Sequence, residues 1–371
     1  AISAVIIIVF FIPYTASGFS ACGKLFSSLF GVDYMGAMIV SAIVIVGYTA
    51  AGGFLAASVT DLIQSIIMTI AILFVLIYAT VQAGGLGAVM ENAKALPGYL
   101  SFTSTYTASG AAPYNFLTIV STLAWGLGYF GMPHILLRFM AIEDDAKLKT
   151  SRRIATIWVV ISMFIAVLIG IVGLAVTKAG KVPFLGTSSE SETIIIQLSN
   201  LLSQHGIFFA LIAGLVLAGI LASTMSTADS QLLAAASSVS HDLVQDFFGK
   251  KLNPKASMLA ARGTVIGIAI VGIFLAWNPD SSVFQIVSFA WAGFGATFGP
   301  AMLCALFWRR ANRWGALAGM IGGGVMVFVW KFGIKPMGGV WGIYELLPAF
   351  LTSLILIVVV SLLTPAPEQE I

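Results

Sequence analysis

Residues 207–233 read IFFALIAGLVLAGILASTMSTADSQLL. The first sixteen, 207–222, are all apolar or glycine. That run comes close to the roughly 20 residues a helix needs to cross a hydrocarbon core about 30 Å thick. Ser223, Thr224, Ser226, Thr227, Asp229, Ser230 and Gln231 then follow with no turn signal between, so the helix continues while its chemistry changes. Ser223, Ser226, Thr227 and Ser230 fall at i, i+3, i+4 and i+7, which is one helical face. A stripe of hydroxyls at membrane depth either bonds a neighbouring helix or offers oxygen ligands to a small hard cation. No carboxylate lies on that face, so a cation site there is neutral and suits weak, reversible binding of a monovalent ion. Asp229 sits off the stripe and reads as a support for an adjoining helix.

The rest of the chain has the same greasy character. Of 371 residues 59% are apolar and only 9% charged, with a mean hydropathy of +1.02. A soluble domain carries about 25% charged residues. This composition argues against a soluble enzyme or a nucleic-acid binder, and a net charge of +3 is too small to signal an anionic partner. Cys22 and Cys304 lie in apolar runs and read as buried small residues. His134, His205 and His241 show no ligand spacing among themselves. The chain opens at Ala1 without Met, basic n-region or cleavage site. It is therefore not read as starting with a signal peptide, and the expectation is that it begins partway through a larger protein.

Ten stretches can span a bilayer: 1–22, 36–56, 62–83, 114–136, 154–176, 207–239, 259–277, 283–307, 315–333 and 343–363. Strand-type alternation is absent, which argues against a β-barrel. With the start inside, Lys and Arg divide 12 to 6 in favour of the inner side, so the C-terminal PAPEQEI is expected inside. Two outer loops are long. Residues 84–113 are rich in Gly, Ser, Thr and Tyr, and 177–206 ends in IIIQLSNLLS, expected to form a short surface helix.

Three further segments break the apolar rule. Residues 122–140, TLAWGLGYFGMPHILLRFM, hold Gly126, Gly128, Gly131 and Pro133. Proline removes a donor and biases the preceding residue away from helix. The run reads either as a kinked packing helix or as an unwound stretch whose backbone can meet a ligand, with Trp125 and Tyr129 sharing a face beside it. Asp61 follows AGGFLAASVT and is either an N-cap or a functional ionisable group at membrane depth. Tyr14 follows Pro13, a second candidate break. Gly293, Gly295, Gly299 and Pro300 read as close helix packing or as a flexible gate.

Tyr48, Thr49, Gly52, Gly53, Phe54 and Ala56 fit Tyr-Thr-x-x-Gly-Gly-Phe-x-Ala, and Arg310, Gly315, Ala316 and Gly319 fit Arg, four residues, Gly-Ala, two residues, Gly. With MSTADSQLL at 225–233 and WGLGYFGMPHILLRFMA at 125–141, the chain resembles the sodium/solute symporter family over essentially its whole length, closest to the bacterial sodium/proline branch. The resemblance implies an all-α polytopic membrane protein with an inverted five-plus-five helix repeat, here with about ten transmembrane helices and the first two core helices missing. Residues 1–83 would be core helices three to five, 84–113 an external loop, 114–307 core helices six to ten, and 308–371 two peripheral helices. It further implies sodium at the Ser226 and Thr227 hydroxyls and the Ser223 carbonyl, Asp61 on the sodium release path, and Tyr14, Trp125, Tyr129 and Pro133 on the substrate side, with Tyr129 as a thin gate. Residues 289–298 would form part of an outer gate.

The implied function is sodium-coupled import of proline by alternating access across the inner (plasma) membrane, with no cofactor beyond Na+ as coupling ion. The implied partners are L-proline, sodium and the lipid bilayer, with no nucleic acid and no obligatory protein partner. The alternatives are another small amino acid, a carboxylate or pantothenate as solute, or a transporter-like membrane sensor. No nucleophile–base or metal cluster points to an enzyme.

Overall fold

The computed structural model describes residues 1–107 and 109–367, and the side chains of all of these except 52–56. Signature positions Gly52, Gly53, Phe54 and Ala56 and the tail residues 368–371 therefore lie outside the side-chain description. The chain is built from α1 (Ile2–Phe30), α2 (Tyr34–Gln82), α3 (Leu86–Lys94), β1 (Ser104–Thr107), β2 (Gly110–Pro113), α4 (Phe116–Leu123), a 3-10 turn (Ala124–Gly131), α5 (Pro133–Met140) and α6 (Asp145–Lys178). It continues through α7 (Ser188–Ser191), α8 (Ile194–Ser203), α9 (Ile207–Ser237), α10 (Pro254–Leu275), α11 (Val283–Phe307), α12 (Arg313–Phe328) and α13 (Leu346–Leu363).

Among the described residues, nine helices are long and apolar enough to cross a membrane, or ten when the bent pair Phe116–Gly131 and Pro133–Met140 counts as one span. The ten expected stretches are thus recovered, with one surprise in α2. Its 49 residues would measure about 73 Å if straight, at 1.5 Å per residue, more than twice the hydrocarbon thickness. Contacts show that it does not run straight. Tyr34 bonds the carbonyl of Ala276 (2.7 Å), and at the other terminus Gln82 meets Lys181 (2.8 Å). Both contacts lie at the end of the bundle where Lys24 meets Glu192. The middle of α2 meets the opposite end, where Arg262 reaches the carbonyl of Ala50. Tyr34–Ala51 and Ala57–Gln82 are therefore two antiparallel spans.

The helices that face lipid are inverted relative to soluble ones. In α6, Ile154, Ile157, Ile161 and Phe164 are exposed, while Ile165, Ile169, Val172 and Val176 are buried. Both sets keep helical spacing, so one apolar stripe meets lipid and the other meets protein. The core gathers around α1 and α11, with Phe10, Phe11, Phe19 and Phe294 almost wholly enclosed. Gly293 on α11 faces the ring of Phe10, and Gly295 faces the backbone of Gly128. This glycine series is thus close packing. Both α1 and α11 run unbroken through their prolines, Pro13 and Pro300. The break expected at Pro13 is absent, because a lone proline removes one hydrogen bond while the packed rings of Phe10, Phe11, Tyr14 and Phe19 hold the helix on either side.

Both long loops carry structure of their own. Residues 84–113 hold α3 and a small antiparallel hairpin, β1 with β2, which the strand-free expectation did not include. In 177–206, α8 matches IIIQLSNLLS and buries Ile196, Leu198 and Leu202. This loop is tied down at Glu192, whose carboxylate accepts from Lys24 (2.9 Å), the Ser282 hydroxyl (2.7 Å) and the Val283 and Phe284 amides at the start of α11. Burial pushes the Glu192 carboxyl up, but these donors together outweigh it and hold it below the usual carboxylate range.

Candidate functional site

The break in the fourth span follows from its sequence. α4 passes into the 3-10 turn Ala124–Gly131, Met132 is extended (φ −80, ψ 108), and α5 starts with Pro133 in its first turn. The two halves are bent by 45°. Extended backbone before a proline and proline at a helix start are both favoured. Gly131 lies against the Phe294 carbonyl and Gly299 amide of α11, where a Cβ would collide with backbone.

The carbonyl of Trp125 is not left for a ligand: it accepts from Trp291 Nε1 (3.0 Å). The Trp125 ring lies nearly parallel to those of Trp291 (5.2 Å), Phe284 (5.5 Å) and Tyr344 (5.8 Å). Tyr129 stands edge-on to Trp291 at 4.9 Å and is 44% exposed, so its ring remains accessible on one side.

The hydroxyl stripe lies on an intact helix. Ser226 Oγ and Thr227 Oγ1 each donate to the Ser223 carbonyl at 3.1 Å, so three oxygens gather at one point of α9. Donating to a backbone carbonyl leaves each hydroxyl its lone pairs. Ser223 and Thr227 line a cavity of ≈ 210 Å³ between α1, α9 and α11 together with Tyr14, Ser17 and Gln231. Two of the expected sodium-side residues, Ser223 and Thr227, therefore share one space with Tyr14, whereas Ser226 does not line it. Trp125 lines a neighbouring cavity of ≈ 380 Å³ with Lys24, Glu192 and Phe284. The two cavities have Ala21, Val283 and Val287 in common.

Asp61 lies at the opposite end of the bundle. It is inside α2, which excludes the N-cap reading. Its carboxylate pairs with Arg138 of α5, and Arg138 Nη2 also donates to Ser230 Oγ (2.7 Å). One guanidinium thus joins α2, α5 and the last hydroxyl of the stripe. Asp229, as read, supports a neighbour: Tyr48 of α2 donates to its Oδ2 (3.0 Å) and to the Met225 carbonyl (3.0 Å).

Sequence reasoning missed several contributors. Gln231 is 1% exposed; its Oε1 accepts from Thr15 (3.2 Å), and its Nε2 has no partner among the described residues. It stands one helical turn after Thr227, the signal that would have found it. His134 packs between Phe11 and Tyr14 and so links the break to α1. Phe284 and Tyr344 gave no signal at all, being ordinary aromatics remote from 125 in sequence. His241 does gather with Asp242 and Asp246, a grouping invisible in the spacing of the histidines alone. It lies on the helical turn after α9, where His241 and Asp246 are exposed.

Comparison with known proteins gives a consistent result. The model of the Sodium:solute symporter family matches residues 1–323. The chain is 40% identical over 368 residues to the osmoregulated proline transporter OpuE of Bacillus subtilis (strain 168), covering 99% of this chain and 71% of that protein. It is 40% identical over 372 residues to the sodium/proline symporter of Staphylococcus aureus (strain USA300), covering 99% and 69%. Among solved structures, a Na+-coupled sialic acid symporter in a substrate-bound outward-open state superposes with a TM-score of 0.75 at 17% identity, over 99% of this chain and 75% of that one. That last likeness shows the fold, the inverted-repeat transporter architecture expected from the sequence.

Proposed function

This chain belongs to the sodium:solute symporter family, and from that premise we propose that it imports proline together with sodium by alternating access. The two proline-transporting relatives support the choice of solute. The observation that carries the reading is the shared cavity, where the Thr227 hydroxyl and the Ser223 position meet Tyr14 of α1. Sodium is held by the Ser226 and Thr227 hydroxyls and the Ser223 carbonyl, after both hydroxyl protons rotate away from the ion. Tyr14 and Tyr129 present aromatic surface to the proline ring, Trp125 lines the adjoining cavity on the solute side, and Pro133 fixes the break that positions Trp125 and Tyr129.

Asp61 and Arg138 stand on the sodium release path at the cytoplasmic end, and the C-terminus lies on that same side. Residues 1–83 and 114–307 form the two parts of the repeat core, with 84–113 external and 308–371 peripheral. One sodium moving inward down about 100 mV releases ~2.3 kcal/mol, and a tenfold gradient adds ~1.4 kcal/mol. The sum sustains accumulation of roughly several hundredfold, provided both ligands favour the same conformation.

Replacing Thr227 by Ala tests the reading. Hydrogen bonds to charged groups are worth about 1.5–3 kcal/mol, so Thr227→Ala should raise the sodium concentration for half-maximal proline uptake about 10- to 100-fold. Unchanged sodium dependence would reduce the stripe to helix packing. Counterflow against unlabelled amino acids, carboxylates and pantothenate decides the solute.

A further inference from the structure

Trp125 is held in part from outside the segment matched to the family. The residues that reach it from the α12–α13 connection lie beyond position 323, where the family match ends. Tyr344 is the hub. Its amide donates to Ser121 Oγ (2.6 Å) on α4, one helical turn before Trp125. Its hydroxyl donates to the Ser288 carbonyl (2.6 Å) on α11, one turn before Trp291 and Ala292. Its ring lies over Trp125 with planes 19° apart. A single residue therefore ties α4, which leads into Trp125, to α11, whose Phe284 and Trp291 rings stack on it.

Tyr344 is fixed in turn by its neighbour. Glu345 is 0% exposed and pairs with Lys331 (3.1 Å) and Lys335 (2.7 Å). Lys331 also sits over the ring of Phe289, next to Ser288. A buried carboxylate is tolerated only when its charge is met, so the connection holds its shape only while Glu345 has its lysines. This gives an ordered chain of constraint: lysine pair, Glu345, Tyr344, then Trp125.

We propose that Tyr344, anchored by Glu345, is a positioning residue that sets the angle of the Trp125 ring and thereby the affinity for the solute. The inference rests on the substrate-side role proposed above for Trp125. It adds that the peripheral connection sets the solute site and leaves the sodium site alone, because none of these contacts reaches Ser223, Ser226 or Thr227.

The test uses Tyr344→Ala, Tyr344→Phe and Glu345→Gln in the full chain, in membranes. The first readout needs no solute: deuterium uptake by peptides covering 116–131. It should rise in Tyr344→Ala, rise less in Glu345→Gln, and be nearly unchanged in Tyr344→Phe, which keeps the stack and the Ser121 bond. The second readout is sodium-driven proline uptake. An aromatic pair is worth about 0.5–1.5 kcal/mol beyond its buried area, so Tyr344→Ala should raise the proline KM about 2- to 10-fold with the sodium half-saturation unmoved. Tyr344→Phe should restore most of the affinity.

Unchanged deuterium uptake in Tyr344→Ala overturns the positioning role whatever the solute. Equal shifts in proline and sodium dependence overturn it too, in favour of general loosening. Raised deuterium uptake in a protein whose wild type moves no proline upholds the positioning of Trp125 and overturns only the choice of solute.

Discussion

The broken fourth span and the hydroxyl stripe of α9 solve one problem in opposite ways. Both place polar atoms at membrane depth, where an unsatisfied backbone group costs several kcal/mol. The broken span opens its backbone, and the Trp125 carbonyl so released is taken up by Trp291. The stripe keeps every helical bond and adds hydroxyls that donate back to it. The break is therefore held by tertiary contacts with α11, whereas the stripe is held by its own helix. Changes at the break should act through the fold, and changes at the stripe should act through the ion.

Gly131→Ala should produce the largest effect. The new methyl would meet the backbone of Phe294 and Gly299 rather than a flexible side chain, so the 3-10 turn and α11 must separate. Overpacking typically costs 1–3 kcal/mol, and a clash with backbone belongs at about 3 kcal/mol or above. The expected outcome is a sharp fall in folded protein in the membrane, read by thermal unfolding followed by fluorescence-detected size exclusion. A wild-type profile would show that the break adjusts independently of α11, and the contrast with the stripe would dissolve. Gly128→Ala should also be costly, because its methyl would displace the Trp291 indole, which is buried and bonded to the Trp125 carbonyl.

Asp61→Asn probes a place where both regions meet, since Arg138 of α5 touches Asp61 and Ser230 together. The Arg138 side chain is 41% exposed, so the pair is partly screened and its loss should change stability by about 1 kcal/mol or less. Transport should respond more than stability, because Arg138 loses the carboxylate that ties it to α2 while it still bonds Ser230 of the stripe. The maximal rate of proline uptake should fall about fivefold, against a proline KM within about twofold of wild type, since ~1 kcal/mol corresponds to about a fivefold ratio. A change confined to KM would remove Asp61 from the release path.

The two regions also differ in how much of them the sequence exposes. The i, i+3, i+4, i+7 hydroxyls and the Gly/Pro cluster are local patterns, so the stripe, the break and most spans could be read directly. Pro13 misled because proline is a local signal while helix continuity there depends on aromatic packing from elsewhere. The two spans within α2 are legible in the hydropathy, but their form as one helical element is not. Trp291 and Tyr344 act on Trp125 across 166 and 219 positions, differences of 291 − 125 and 344 − 125 in the numbering. Nothing in either residue's neighbourhood announces such a contact. What the sequence hides, then, is the set of partners that take up the groups a break releases.

Gly126→Ala should show the smallest effect, and it sharpens the comparison most. Gly126 belongs to the same breaker cluster by composition, yet no atom lies within 4 Å of where its Cβ would sit. Its φ is not among the positive values found at other glycines. Alanine therefore fits, and it narrows the unfolded ensemble, for a gain of about 0.4–1 kcal/mol. Slightly raised thermal stability with unchanged proline and sodium dependence would mean that the break is a fixed shape required only at Gly128 and Gly131, where α11 approaches. Raised stability with slowed uptake would mean instead that the turn must flex at Gly126 during the cycle. The break would then be a hinge, and the stripe on its unbroken helix would be the fixed wall against which it moves.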